Sequence, residues 1–241
     1  MRAPPDGYTL LMVSAANAIN ATLYDKLNFV FLRDISPVAS IERSHTVMLV
    51  NPSVPSKTVP AFLAYAEANP GRINMASAGN GTPSHLAGEF LKLMTGVRLV
   101  HVPYRGDSLA MTDLLGGQVQ VYFGSVAGSI QHLRTGRLRG LAVTSATRSE
   151  LLPDLPTIDE FVPVYEVSTW YGVGAPKNTP TEIISKLNNE INVALVSPVM
   201  KTRIADHGGV TLGGPPADFG RLIADETEKW AKVIRAANIK L

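Results

Sequence analysis

The sequence predicts an α/β protein with mostly parallel strands, and three observations carry that prediction. Short apolar or β-branched runs alternate with segments of helical periodicity, helix-cap signals fall between them, and one run leads straight into a glycine-rich loop that opens a helix. With 45% hydrophobic residues in 241, the chain can bury a sizeable core, as one large domain or two smaller ones.

Taken in order, strands are expected at Thr9–Val13, Thr46–Val50, Ile73–Ser77, Leu99–Val102, Val119–Phe123 and Arg139–Thr144, with another around Val167–Val173. Helical patterns lie between them at Ala16–Leu23, Val59–Ala68, Ser84–Met94, Ser108–Leu115 and Val126–Leu133, and the last third is predominantly helical. Thr58 precedes Val59-Pro60, and Asn69-Pro70-Gly71 stops that helix. Thr179-Pro180-Thr181-Glu182 has the spacing of a capping box, Ser197-Pro198 starts another helix, and Gly208-Gly209 ends it. From Pro216 to Asn238 a longer helix repeats Phe219, Leu222, Ile223 and then Trp230, Val233, Ile234 at three- and four-residue spacing, a face that must pack on the body of the protein. Two extended runs, Thr46–Val50 and Glu166–Ala175, are separated by compact β-α units. Two lobes joined by paired crossover strands would produce this arrangement, and a single continuous sheet explains it nearly as well.

Composition removes several function classes. The formal net charge is +2, and the one concentrated basic segment, Arg134, Arg137 and Arg139, sits at a helix end where cations complement the dipole, so no nucleic-acid partner is expected. The absence of cysteine removes disulfides, thiolate nucleophiles and cysteine metal sites. His45, His85, His101, His132 and His207 show no i,i+4 pairing with one another and no carboxylate set at ligand spacing, so neither a metal nor another cofactor is expected. No apolar run approaches the ~18 residues that cross a bilayer. As written, the segment Met1–Tyr8 lacks the apolar core of a secretion signal.

The most informative stretch is Met75–Leu86. A short buried strand over Ile73–Ser77 meets Gly79-Asn80-Gly81, whose glycines permit the positive φ of a backbone nest, and Thr82-Pro83 supplies an N-cap and a proline at the first helical position. Backbone N–H groups then converge, and the helix adds a partial positive charge worth roughly 0.3–1 kcal/mol to a nearby anion. An ordinary well-capped β-α connection has the same local signature. The loop is no dinucleotide fingerprint: position 84 is Ser rather than Gly, Pro83 sits where the turn needs close packing, and Leu99–Pro103 offers no acidic residue for a ribose. Nor is Ser77 in a nucleophile elbow, because Ala78–Gly81 intervene before the helix; it reads as a ligand hydroxyl or a satisfied loop residue. His85, in the first helical turn, either donates to a bound anion or supports the loop.

Two further junctions follow the same plan. His101–Ser108 runs from a strand through a turn into a helix, with Tyr104 placed to wall a pocket, Asp107 to cap, and Arg105 to pair with a carboxylate or stay solvated. Phe123–Val126 opens another helix and presents Ser125. In open α/β sheets ligands gather outside the carboxyl ends of the strands, so the three junctions define one anion-binding wall.

These junctions, in this order, resemble the substrate-binding proteins of tripartite tricarboxylate transporters, the Bug (TctC) family of periplasmic solute receptors. The matching pieces are Pro5–Leu11, Ala76–His85, His101–Gly106, Asp113–Val119, Leu141–Ser145, Trp170–Gly172 and Ala175–Pro180. The resemblance implies a two-lobed, type II periplasmic binding fold that closes on a small carboxylate, with lobe 1 at residues 1–47 and 173–241 and lobe 2 at 48–172. It implies that Ser77, Gly79, Asn80, Gly81, Thr82, Ser84 and His85 line one side of the pocket, with Tyr104 and Ser125 nearby and Ser14–Asn17, through Ser14 and Asn17, on the other lobe. It also implies dicarboxylates, tricarboxylates or amino acids as ligands, a periplasmic location, and the membrane components of the transporter as partners. The chain departs from the family pattern at Phe123-Gly124, where relatives often carry Phe-Asp. It also lacks the signal peptide and the first strand, glycine-rich loop and helix that precede the segment matching Pro5–Leu11, so an N-terminally truncated lobe 1, prone to self-association, is expected.

The expectation is therefore a non-enzymatic carboxylate receptor. A hydrolytic or acyl-transfer enzyme using Ser77 or His85 is the alternative from another class, and a truncated, non-functional interaction module is the third. Micromolar affinity needs about −8.2 kcal/mol, whereas each charge-assisted hydrogen bond contributes roughly 1.5–3 kcal/mol before the cost of immobilising the ligand. One lobe's glycine loop falls short of that sum, so weak or absent binding is expected of this chain alone unless another polypeptide supplies the missing segment.

Overall fold

The computed structural model describes residues 3–24 and 26–239, and the ends of the expected lobe 1, residues 1–2 and 240–241, lie outside them. In chain order the elements are β1 (Leu11–Ser14), α1 (Ala15–Leu23), α2 (Phe31–Asp34), β2 (Ile35–Ser44), β3 (Thr46–Val50), α3 (Val59–Ala68), β4 (Ile73–Ser77), α4 (Pro83–Thr95) and β5 (Leu99–Pro103). They continue with α5 (Asp107–Leu115), β6 (Val121–Ser125), α6 (Val126–Arg134), β7 (Arg139–Val143), β8 (Thr169–Pro176), α7 (Thr181–Leu195), α8 (Pro198–Asp206), β9 (Gly209–Thr211) and α9 (Pro216–Ala236). The chain forms two compact units. One comprises the segment up to Ser44, Thr169–Arg235 and Ile239; the other comprises His45–Ser168 with Ala236–Asn238.

The first unit is built on a four-stranded sheet of order β1-β8-β2-β9, antiparallel at every pairing. Helix α7 packs on β2, burying Ile184 against Val38, Ala39 and Ala175. Its polar tie is Asn188, buried, whose amide donates to Val38 O (2.8 Å) and Gly214 O (2.9 Å). Helix α9 shows the periodicity read from the sequence: Phe219, Ile223, Trp230, Val233 and Ile234 are all buried, and the Phe219 ring meets Trp170 of β8 edge-on at 5.8 Å. Glu226 lies between two indoles and accepts from Trp230 Nε1 (2.9 Å) and Trp170 Nε1 (3.3 Å).

The second unit carries the five-stranded sheet β5-β4-β6-β3-β7. Its core joins Val47 and Leu49 of β3 to Ala76, Ala110, Leu114, Tyr122, Val126 and Leu138, so that α5 and α6 cover one face of the sheet over the middle strands. Beyond the edge strand β7, Val143 N–H donates to Pro156 O at 2.8 Å, which covers part of that edge.

The mixed α/β class holds, but the expectation of mostly parallel sheets does not. Among the strands of the described residues, β4–β5 and β4–β6 pair in parallel, whereas β1–β8, β2–β8, β2–β9, β3–β6 and β3–β7 are antiparallel. A helical crossover makes two strands parallel when it returns the chain to the same end of the same sheet. β3 follows β2 across the single residue His45, with no helix between them, and β8 returns to the first unit only after the whole second unit has been traversed. The sequence reading also omitted β2 and β9. β2 contains Pro37 and shows register shifts at Pro37/Ala39 and Ser40/Glu42, bulges that erase the two-residue alternation by which a strand is recognised. Helix α9 ends at Ala236 rather than Asn238, with Asn238 at φ 51° in the manner of a left-handed cap. The capping box expected at Thr179 is replaced by Pro180 at the N-cap position, and Thr179 Oγ1 donates to Pro176 O instead.

Candidate functional site

Strand β4 ends at Ser77, and the five residues before α4 bend around two glycines, Gly79 at φ 138° and Gly81 at φ 71°. A side chain there would be strained. The loop is braced from inside. Ala78 N–H donates to Ser84 Oγ (3.0 Å), Gly79 N–H to Ser77 Oγ (3.2 Å), Gly81 N–H to His85 Nδ1 (3.1 Å) and Thr82 Oγ1 to Gly79 O (2.7 Å). That last bond differs from the capping role expected of Thr82. The residue has the extended backbone of an N-cap, but its hydroxyl faces back into the loop, and no side chain takes up the first helical turn. The amides of Ser84 and His85, which a capping oxygen would normally satisfy, have no acceptor among the described residues, and neither does the amide of the exposed Asn80. Loop and helix end thus leave three donors for an anion.

What fixes the loop from below is His101, named in the sequence only among the five histidines and at the start of the second junction, with no part in the site. It lies on β5, in parallel register with Met75 of β4, and Ser77 stands opposite Pro103, so Met75, Ser77 and His101 share one face of the sheet. Helix α4 lies close on that face, because Gly88 leaves the space that the Met75 side chain fills. One turn earlier on the helix, His85 then meets His101. Their rings stack at 3.8 Å with 14° between planes, and Ser77 Oγ sits 2.6 Å from His101 Nε2. The pKa of His85 is held down to about 4, burial being the larger cause and the Lys92 charge the smaller. His101 is also held down to about 4, by burial first and then by His85, with Glu89 acting in the opposite sense. Both rings are neutral at pH 7. Because Nδ1 of His85 accepts from Gly81, its proton is assigned to Nε2, which faces Glu89 Oε1 at 3.7 Å; Glu89 is itself paired with Lys92 at 2.7 Å.

The second junction continues the β4–β5 ladder, with Tyr104 N–H donating to Ser77 O (2.9 Å) and Gly106 N–H to Ala78 O (3.0 Å). Tyr104 donates its hydroxyl to Asp113 Oδ2 (2.7 Å), and burial together with that carboxylate pushes its pKa up to about 12. Asp107 does not cap α5: Gly106 occupies the cap position, and Asp107 accepts from the buried Tyr122 hydroxyl. Arg105 is exposed. At the third junction Ser125 is exposed and caps α6, accepting from Gly128 N–H at 3.2 Å. A Cβ at the preceding Gly124 would lie 2.9 Å from the Tyr122 ring and 3.1 Å from Leu49, so the packing here suits glycine.

β5, β4 and β6 are adjacent and parallel, so Ser77, Gly79, Asn80, Gly81, Thr82, Ser84, His85, Tyr104 and Ser125 are brought to the same end of one sheet. Ser14 and Asn17 belong to the first unit. There Ser14 is the N-cap of α1 and its N–H donates to Asn17 Oδ1 at 2.9 Å. Among the described residues no cluster of three or more metal-ligating side chains occurs, and no helix is long and apolar enough to cross a membrane.

Comparison with known proteins gives concordant findings. Residues 1–239 match the model of the tripartite tricarboxylate transporter family receptor. Protein BugT of Bordetella pertussis is 35% identical over 239 residues, covering 98% of this chain and 73% of that protein. Among solved structures, Rpa4515 of R. palustris with adipate superposes with a TM-score of 0.88 at 34% identity, covering 99% of this chain and 81% of the other. MatC (Rpa3494) from Rhodopseudomonas palustris with bound malate gives 0.82 at 28% identity, covering 96% and 81%.

Proposed function

From a chain that belongs to the tripartite tricarboxylate transporter receptor family, whose members are periplasmic solute-binding proteins, we propose a receptor that binds a small carboxylate at the Gly79–His85 loop and delivers it to the transporter's membrane components. The observation that carries this reading is the set of amides of Asn80, Ser84 and His85, left without acceptors at the N-terminus of α4 and flanked by two further β-α junctions. Backbone donors aligned with a helix dipole bind carboxylates without a dedicated cation. The adipate and malate held by the two structural relatives favour a dicarboxylate for this chain as well. Ser14 and Asn17 enter the proposal as a separate helix start on the first unit.

The same geometry argues against the acyl-transfer alternative. Ser77 and His101 do form a serine–histidine pair, but Ser77 is fully buried, and its hydroxyl is committed to the loop. An imidazole with its pKa near 4 is also a poor base at neutral pH. The test is a thermal-shift panel of dicarboxylates, tricarboxylates, acidic amino acids, monocarboxylates and neutral sugars, since anything that binds only the native state stabilises it by mass action. The expected outcome is saturable stabilisation by di- or tricarboxylates alone. Stabilisation by sugars, or by no carboxylate, would contradict the proposal.

A further inference from the structure

Nothing in the resemblance assigns a part to His101, yet the structure makes it the foundation of the loop. Two chains of contact run from it. One is direct: Nε2 meets Ser77 Oγ at 2.6 Å, and that hydroxyl also accepts from Gly79 N–H. The other is indirect: the His101 ring is stacked under His85, whose Nδ1 accepts from Gly81 N–H. The two positive-φ glycines of the anion loop are therefore both tied to one β5 side chain, through two different neighbours.

We propose that His101 is a positioning residue for carboxylate binding, holding Gly79 through Ser77 and Gly81 through His85, and that the loop keeps its binding geometry only while the His85–His101 stack is uncharged. This rests on the carboxylate reading of the loop. Burial keeps both rings uncharged, and the stack opposes a charge on His101 beside His85. Two imidazolium rings at 3.8 Å would repel, and protonation of His85 Nδ1 would turn the acceptor of Gly81 N–H into a second donor. The charged groups facing the pair are Glu89, 3.7 Å from His85, and Lys92, which neutralises Glu89; β4 contributes the uncharged Ser77. Burial and Lys92 disfavour the first proton on His85, and Glu89 only partly offsets this at His101. The loop is thus pre-organised without a fixed cation, and its three amides without acceptors stay in place.

The test has two arms that fail separately. In the first, no ligand is present: long-range 1H–15N spectra follow the His85 and His101 rings while the Gly81 and Gly79 amide shifts are recorded from pH 7.5 to 3.5. The expected result is that both rings are neutral through pH 5.5 and that the Gly81 amide moves with the His85 midpoint, near about 4. Rings titrating independently near about 6.5, the unperturbed value, or a Gly81 amide indifferent to them, would overturn the proposal even if carboxylates bind well. In the second arm, adipate and malate are titrated at pH 7.5 into the wild type, His101→Phe and His101→Gln. Phenylalanine keeps a stacked ring but cannot meet Ser77, and the expected loss is at least tenfold in affinity. Glutamine restores a side-chain donor and acceptor near Nε2 and is expected to recover most of that loss. Equal affinity in the wild type and His101→Phe, with both chains folded by thermal denaturation, would also overturn it. A wild type that binds neither probe would count against the carboxylate reading, and the first arm would still decide the role of His101.

Discussion

Gly81 holds φ at 71° with its N–H on His85, and this residue concentrates the demands of the site. Gly81→Ala is expected to cost about 1–3 kcal/mol from the left-handed backbone alone. Urea denaturation should detect this as a lower midpoint at unchanged slope, and an unchanged midpoint would show that the loop relaxes freely. Acid sensitivity follows from the histidines. In the unfolded chain His85 titrates near about 6.5, and in the folded chain near about 4, so the unfolded state binds more protons between these values. Its contribution is complete above pH 6.5, falls as pH drops through this window, and levels off below it. The depressed pKa corresponds to about 3 kcal/mol. Stability measured from pH 7.5 to 4.5 should fall in the wild type and fall less in a His85→Asn, His101→Gln double variant; parallel curves would contradict the assignment. Glycines, Thr82 and Pro83 were legible in the sequence because their signals are local. His101 was not, because its bond to Ser77 spans 24 residues and exists only once β4 and β5 pair in register.

At the scale of the elements, the helices were largely legible and the sheets only in part. α3 begins at Val59 and ends at Ala68 as its caps announced, and α9 buries the stripe that its periodicity marked. Helix signals reside within the helix, whereas strand direction depends on which distant strand arrives alongside. That is why the antiparallel pairings of β8 and the bulged β2 escaped a reading based on alternation. Two substitutions test how the elements are fastened. Glu226→Ala removes the acceptor shared by Trp170 and Trp230 and leaves buried indole N–H groups unsatisfied, so α9 should loosen at a cost of about 2–4 kcal/mol. Hydrogen exchange confined to α9 and β8 would support this, and unchanged stability would count against it. Gly172→Ala places a methyl 2.2 Å from Phe219 Cζ and 2.6 Å from the Ala39 carbonyl, one of them backbone that cannot yield cheaply. Overpacking of this kind costs about 1–3 kcal/mol or more, and the thermal midpoint should drop accordingly.

For the molecule as a whole, two units each organise their own sheet, and the second sheet gathers three helix-opening junctions at one end. The junction order, read as a resemblance, identified the family that the comparisons then established, because several moderately specific motifs in register constrain more than any one of them. Ligand identity was not legible, since backbone amides recognise a carboxylate without naming the molecule that bears it. The most direct test of the account is a 1H–15N titration of the folded 241-residue chain with adipate and with malate through the millimolar range, following the amides of residues 78–86. The expected result is saturable, mutually competitive shifts centred on Asn80, Ser84 and His85. Saturable binding that leaves these three amides unmoved, or no response to either dicarboxylate, would contradict it.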